Sequence, residues 1–317
     1  MAEEESYWVK REKENIKKEQ MKDEEVAEKL REIIENAQRE ILKEIDVFYS
    51  RYAENNNITP AEAKKRVSEF DVQSFEKTAA RYVEEKNFSD KANEELYTYN
   101  TKMRVSRQEL LMMYLNAHLV AMADEQVQTF QDYLEQAGIN EVARQAGILD
   151  VNMTITTSTL ESLVGASFYE ATWSERIWDD MEGLREELDV IINNAIVRGV
   201  HPDRGVSNLR ERFDVTTYEA RRLLITETAR VQTGAQQLSY EALTEDNDEA
   251  EYEFIAVIDD DTTETCEDLN GEIFKVKDMM PGVNASPMHP FCRSSSALRL
   301  GDWRTNFFAE REGKYSL

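Results

Sequence analysis

The chain has 317 residues but only two cysteines and three histidines, and both cysteines and one histidine fall between Asp259 and Arg293. His289 and Cys292 stand three positions apart across Pro290, and Cys266 returns to them over 22 intervening residues. Thiolate and imidazole ligands at this spacing suit a tetrahedral zinc ion. A closed structural site takes four ligands, so the fourth would be a nearby carboxylate, Asp259 or Asp261, or a water. Two other readings fit the same residues: a Cys266–Cys292 disulfide, which a reducing cytoplasm disfavours, and two buried thiols packed as small apolar groups. Catalysis would need more. A thiol protease requires an Asn or Asp orienting the histidine, and a three-residue gap across Pro290 aims both side chains at one shared ion instead. No Gly-rich phosphate loop, Gly-x-Ser-x-Gly or His-Glu-x-x-His is present.

The elements around these residues have the period of a sheet. Tyr252, Phe254, Ala256 and Ile258 alternate with Glu251, Glu253, Ile255 and Val257, the pattern of a half or fully buried strand. Ile273 to Val276 reads as its hairpin partner across Asn270-Gly271, whose residue types supply the positive φ such a turn demands. Ser294 to Leu300 reads as a third strand. A β module this small buries little apolar area, so Cys266, His289 and Cys292 are expected to clamp its loops onto the preceding helix.

Everything upstream has helical period. Residues 1–56 read as one helix, with Val26, Leu30, Ile33, Ile34, Ala37, Ile41, Ile45, Phe48, Tyr49 and Tyr52 at three- and four-residue steps. Residues 1–20, with Tyr7 and Trp8 among many Lys and Glu, are expected to be a mobile or docking arm. Asn55-Asn56-Asn57 breaks the pattern; Thr59-Pro60, Ser89-Asp90 and the capping box Ser106 to Glu109 restart it, the last opening a run closed by Gly138. His118 in that run has no catalytic partner at a helical interval, and His201, before Pro202, reads as a turn residue. Apolar faces continue through Leu160, Val164, Trp173, Ile177, Met181, Leu184, Leu188 and Ile192, with turns at Gly147, Gly165 and Gly199. A short helix from Val206 to Phe213 and a long one from Thr217 to Leu243 complete the helical part. The expected fold is mainly α: long helices forming an elongated body, and a small C-terminal β-containing module clasped by Cys/His. Its divisions are the arm 1–20, a helical domain 21–150, a helical region 151–250, the β module 251–300 and a tail 301–317 carrying Trp303, Phe307 and Phe308.

Charge limits the partners. Thirty-eight bases against 64 acids leave a formal charge of −26, which repels phosphate backbones at long range. Arg198 to Arg230 holds seven Arg against five acids, a local basic stretch and the one candidate nucleic-acid face. The longest apolar run, Leu110 to Leu115, is too short to span a bilayer, and Met1-Ala-Glu-Glu-Glu-Ser lacks the features of a signal peptide, so no membrane partner is expected and the chain should stay in the cytoplasm where it is made.

The string Asp259-x-x-Thr262-Thr263-x-x-Cys266-x-x-Leu269-Asn270-Gly271-x-x-Phe274, followed by Pro287-x-His289-Pro290-x-Cys292-Arg293, resembles the C-terminal signature of phage head morphogenesis proteins. These are the minor capsid proteins of the Mu protein F and SPP1 gene product 7 type. The resemblance runs from about Thr157 to Leu300. Thr263 and Ser294 stand where many members carry further cysteines, and Thr226-Glu227 matches a family Arg-Thr-Glu helix in which Ile225 replaces the Arg. The resemblance implies a structural motif of Asp259, Thr262, Leu269, Asn270, Gly271, Phe274, Pro290 and Arg293. It implies a metal set of Cys266, His289 and Cys292, with Asp259 or Glu227 as fourth ligand and zinc as the ion. It further implies a non-enzymatic virion protein, present in the host cytoplasm during assembly. Its partners would be the portal protein, the major capsid or scaffold protein, and phage DNA. Against this stand two alternatives: a metal-dependent nuclease or toxin-like enzyme using the cluster, and a nucleic-acid module using the Arg198–Arg230 helices.

Overall fold

The computed structural model describes residues 7–54, 107–149, 153–198, 203–244, 249–259 and 262–299. Five helices precede the sheet among them: α1 (Tyr7–Glu54), α2 (Arg107–Leu149), α3 (Thr157–Val164), α4 (Trp173–Arg198) and α5 (Asp203–Leu243). Strand β1 (Glu251–Ile255), the short helix α6 (Glu264–Leu269), β2 (Ile273–Lys275) and β3 (Ser295–Arg299) follow. The protein is thus mainly helical with one small C-terminal antiparallel sheet, ordered β2-β1-β3. The restarts at Thr59 and Ser89, the turn at His201, Asp261 and the tail 301–317 lie outside the described residues.

The chain divides into two compact units, the first of residues 1–25, 133–166 and 222–317, the second of 26–132 and 167–221. In the second unit the apolar stripe of α1 is buried as its spacing predicts, through Leu30, Ile33, Ile34, Ala37, Ile41 and Ile45. Helix α2 is buried on all faces from Tyr114 to Val120, His118 included. Trp173 at the start of α4 stacks on Phe130, with ring centroids 5.6 Å apart. Arg212 of α5 is held by Asp180 at 2.6 Å and Glu187 at 3.4 Å, so this arginine of the basic stretch is committed to an internal pair.

In the first unit, residues expected as an arm are helical and docked. Glu12 and Ile16 are buried, and Glu12 takes a two-pronged bond from Arg144 of α2 at 2.8 and 3.0 Å. Arg144 also binds Glu141, and Ser295 of β3 donates to Glu12 at 2.7 Å. A buried charge must be paired, and this pairing orders the segment.

Three expected helix breaks are absent. Gly138 lies inside α2, where a Cβ would come within 3.0 Å of Leu160 Cδ1 and 3.3 Å of Val231 Cγ1. The glycine admits neighbouring side chains instead of stopping the helix; Gly147 is likewise internal. The break before Thr217 is absent: α5 is continuous there, and the Thr217 hydroxyl donates back to the Phe213 carbonyl at 2.9 Å. Gly165 does terminate α3, its N–H bonding the Glu161 carbonyl. The strand alternation expected to reach Ile258 stops at Ile255, and Ile258 is exposed.

Asp23 of α1 is buried and accepts a 2.8 Å bond from the Tyr133 hydroxyl. Burial raises its pKa from the ordinary 3.8 to about 7. A carboxyl raised on folding stabilises fully below its unfolded pKa and loses that contribution as pH rises through the folded value. Asp23→Asn, which keeps the acceptor, is therefore expected to match the parent near pH 4 and to exceed its stability above pH 8 by up to about 4 kcal/mol. Urea unfolding at the two pH values checks this; equal stabilities at pH 8 would contradict it.

Candidate metal centre

The site is built on α5, β1 and the loops around them. On β1, Tyr252 pairs with Phe274 of β2 and Leu298 of β3. Phe254 and Ala256 carry the pad on which Cys266 and Cys292 rest, with Leu269, Phe274 and Met288 packed alongside. Each motif residue has a definable part. Asn270 accepts the Ala256 N–H through Oδ1 at 2.9 Å, and Gly271, at φ +87°, donates its own N–H to the Phe254 carbonyl at 2.8 Å. Those two bonds return the chain from α6 to β2. Thr262 donates to the Val257 carbonyl at 2.9 Å and accepts the Asp259 N–H at 2.8 Å, fixing the loop that leads into α6. Arg293 binds Asp259 at 2.5 Å and so ties the far side of the module to that loop.

The His-Pro-x-Cys segment is a tight turn closed by the Cys292 N–H on the His289 carbonyl at 3.1 Å. Pro290 supplies the fixed φ at its second position, and Phe291 takes φ +62° at its third, a left-handed conformation unusual for a bulky residue. The Phe291 N–H is bound by the Thr226 hydroxyl of α5 at 3.2 Å, and Thr226 in turn donates to the Arg222 carbonyl at 2.7 Å. Helix α5 thus anchors the strained turn.

The result brings together the three residues picked out by spacing. Cys266 Sγ lies 3.2 Å from His289 Nε2 and 3.8 Å from Cys292 Sγ. All three donor atoms fall within 4.8 Å of one another, and both thiols are buried and free. Zinc with Zn–S bonds of about 2.3 Å at a tetrahedral angle separates two sulfurs by about 3.8 Å. His289 Nδ1 lies 2.8 Å from the Pro290 carbonyl, which can only accept, so Nδ1 carries a proton and Nε2 is the ring nitrogen directed at the sulfurs, the orientation a ligating histidine takes. The donor set fits a tetrahedral ion. Cys292 also accepts from Ser286 at 3.5 Å. Its hydrogen bond with Cys266 holds the Cys292 pKa down to about 3 and pushes that of Cys266 up, because the pair shares one proton. Hydrogen bonding of its own ring to the Cys292 sulfur and to the Pro290 carbonyl raises the His289 pKa against the opposing effect of burial.

The carboxylates expected as fourth ligand are engaged elsewhere. Asp259 is held by Arg293 and Thr262. Glu227, 1 % exposed, accepts from Arg230 Nε at 2.6 Å, because burial makes a carboxylate seek the cation one turn along its own helix. Asp261 lies outside the described residues. Sequence reasoning missed the positioning parts of Thr226 and Arg230, although the Glu227/Arg230 spacing was a visible pairing signal. It also missed Gln236 and Tyr240, which bond Ser295 and Ser296 of β3.

Residues 186–297 match the model of a family described as Phage Mu protein F like protein. No curated protein and no solved structure matches the chain.

Thr226→Val is expected to lower stability by about 1–2 kcal/mol by leaving the Phe291 N–H without its acceptor, whereas Thr226→Ser keeps it. Denaturant midpoints of the two variants check this, and a valine variant as stable as the parent would refute the anchoring.

Proposed function

We propose, from the match of residues 186–297 to the family described as Phage Mu protein F like protein, that the chain is a phage head-morphogenesis protein: a minor capsid protein acting in procapsid assembly. The observation that carries the reading is the family match, which takes in Cys266, His289 and Cys292. In this reading the portal protein and the major capsid or scaffold protein are its partners, and it accompanies phage DNA at delivery. It is made in the host cytoplasm and ends in the virion. None of the described helices is long and apolar enough to cross a membrane.

The cluster serves as a structural clasp and not as a catalytic centre. In its favour, the two thiols are buried over Phe254 and Ala256, and the motif carboxylates Asp259 and Glu227 are spent on Arg293 and Arg230. A bound zinc ion would supply a cross-link among the loops bearing Cys266, His289 and Cys292. A module with a three-stranded sheet gains stability from such a cross-link where apolar burial is small. A DNA-binding role for the Arg198–Arg230 stretch is the weaker reading, since Arg212 and Arg230 are both internally paired.

Mass spectrometry of gradient-purified particles and empty heads, made with and without the gene, tests the proposal. The expected result is the protein at low copy beside portal and coat proteins. Its absence from every head and particle while it remains in the lysate would overturn the head-protein reading.

A further inference from the structure

Glu12 and Glu141 bring two carboxylates into the interior of the first unit, at 4 % and 3 % exposure, and a single guanidinium, that of Arg144, lies between them. Both carboxylates use the same nitrogen: Arg144 Nη2 donates to Glu12 Oε1 at 3.0 Å and to Glu141 Oε1 at 2.7 Å. Nη1 completes the fork on Glu12 and Nε the fork on Glu141, each at 2.8 Å. The strand side adds hydrogen bonds but no charge. Ser296 donates to Gln236 at 2.7 Å, Gln236 to Ser295 at 2.9 Å, and Ser295 to Glu12 at 2.7 Å. Tyr240 of α5 faces the cluster as well, with its phenol proton on the Ser296 carbonyl at 3.0 Å. On β1, Glu253 has Arg299 and Lys13 as its charged neighbours. Among the described residues, the charged side chains acting on Glu12 are thus Arg144 and Glu141, which leaves the buried cluster with one negative charge in surplus.

We propose that this cluster is a proton-binding latch: docking of residues 7–20 of α1 onto α2 and β3 takes up one proton from solvent, which Glu12 and Glu141 share, and the hold weakens as that proton leaves. A buried charge with no partner of its own is removed by protonation at far lower cost than it is kept. Because the carboxylates meet on one nitrogen, the proton belongs to the pair. Burial, the largest effect, raises the Glu12 pKa from its ordinary 4.5; Arg144 opposes the rise and Glu141 adds to it. An acid raised on docking keeps its proton at a pH where the open form has lost it. The latch is therefore at full strength below about pH 4.5 and loosens as the pH rises through the docked value. The inference goes beyond the head-protein reading and does not depend on it.

Hydrogen exchange of the full chain reads the latch as the protection factors of residues 9–20, corrected for the intrinsic pH dependence of exchange. The Asp23→Asn background silences the other raised acid of α1. Between about pH 5.5 and 8.5, protection of this segment is expected to fall at least about tenfold, with a smaller change in residues 224–240 of α5 in the same unit. Glu12→Gln and Glu141→Gln each leave one carboxylate to one guanidinium. Either change should flatten the profile to within about twofold and hold the segment more tightly than the parent at the higher pH. A flat parent profile would overturn the latch, as would a slope that survives both substitutions. Loss of protection in α5 parallel to that in residues 9–20 would overturn it too, since the proton would then act on the whole unit.

Discussion

One carboxylate and one guanidinium, Glu227 and Arg230, are buried one turn apart on α5 at 1 % and 5 % side-chain exposure. Removing such charges from water costs several kcal/mol each unless every hydrogen-bonding site is filled. The guanidinium also donates from its two terminal nitrogens to the carbonyls of Leu163 and Val164 at 2.8 and 2.9 Å. Those are the last carbonyls of α3, which a helix terminus leaves without intrahelical partners. One pair thereby neutralises itself, caps α3 and sets where α3 meets α5. Leu163 then lies against Gly234, where any Cβ would collide with it.

The same turn of α5 reaches the cluster. Thr226, adjacent to Glu227, holds the Phe291 N–H, and Phe291 carries the positive φ that lets His289 and Cys292 face one point. Farther along, Gln236 and Tyr240 hold Ser295 and Ser296 of β3, and Ser295 continues to Glu12 and Arg144. A helix whose buried face is so polar cannot be satisfied by generic apolar packing. Its partners must present matching donors and acceptors at fixed positions, and that requirement, more than hydrophobic contact, selects the register of the C-terminal module.

Much of this was readable from residue types. The period of three and four marked the helices, the alternation near Tyr252 marked β1, and Asn270-Gly271 marked the turn into β2. The three donors were recognisable because Cys and His are rare in the chain. Failures came where one residue type serves two purposes. Gly138 carries the signal of a helix end but serves close packing, and the break expected between Phe213 and Thr217 lies inside one continuous helix. Glu227 looked like a ligand because proximity in the fold is legible from a motif while the competing partner, Arg230, is decided by burial. Residues 7–20 looked like a solvated arm because a buried Glu12 depends on Arg144 and Ser295, more than 130 and 280 positions away. No local pattern encodes such long-range pairing.

The junction of α3 and α5 depends on the Glu227–Arg230 pair acting as a unit. A double-mutant cycle by denaturant unfolding, with Glu227→Gln, Arg230→Met and both together, measures this directly. Each single change is predicted to cost about 3–5 kcal/mol by leaving a buried partner unpaired, and the double change to cost no more than either single. Singles within about 0.5 kcal/mol of the parent, or costs that simply add, would show that the pair does not organise this part of the fold.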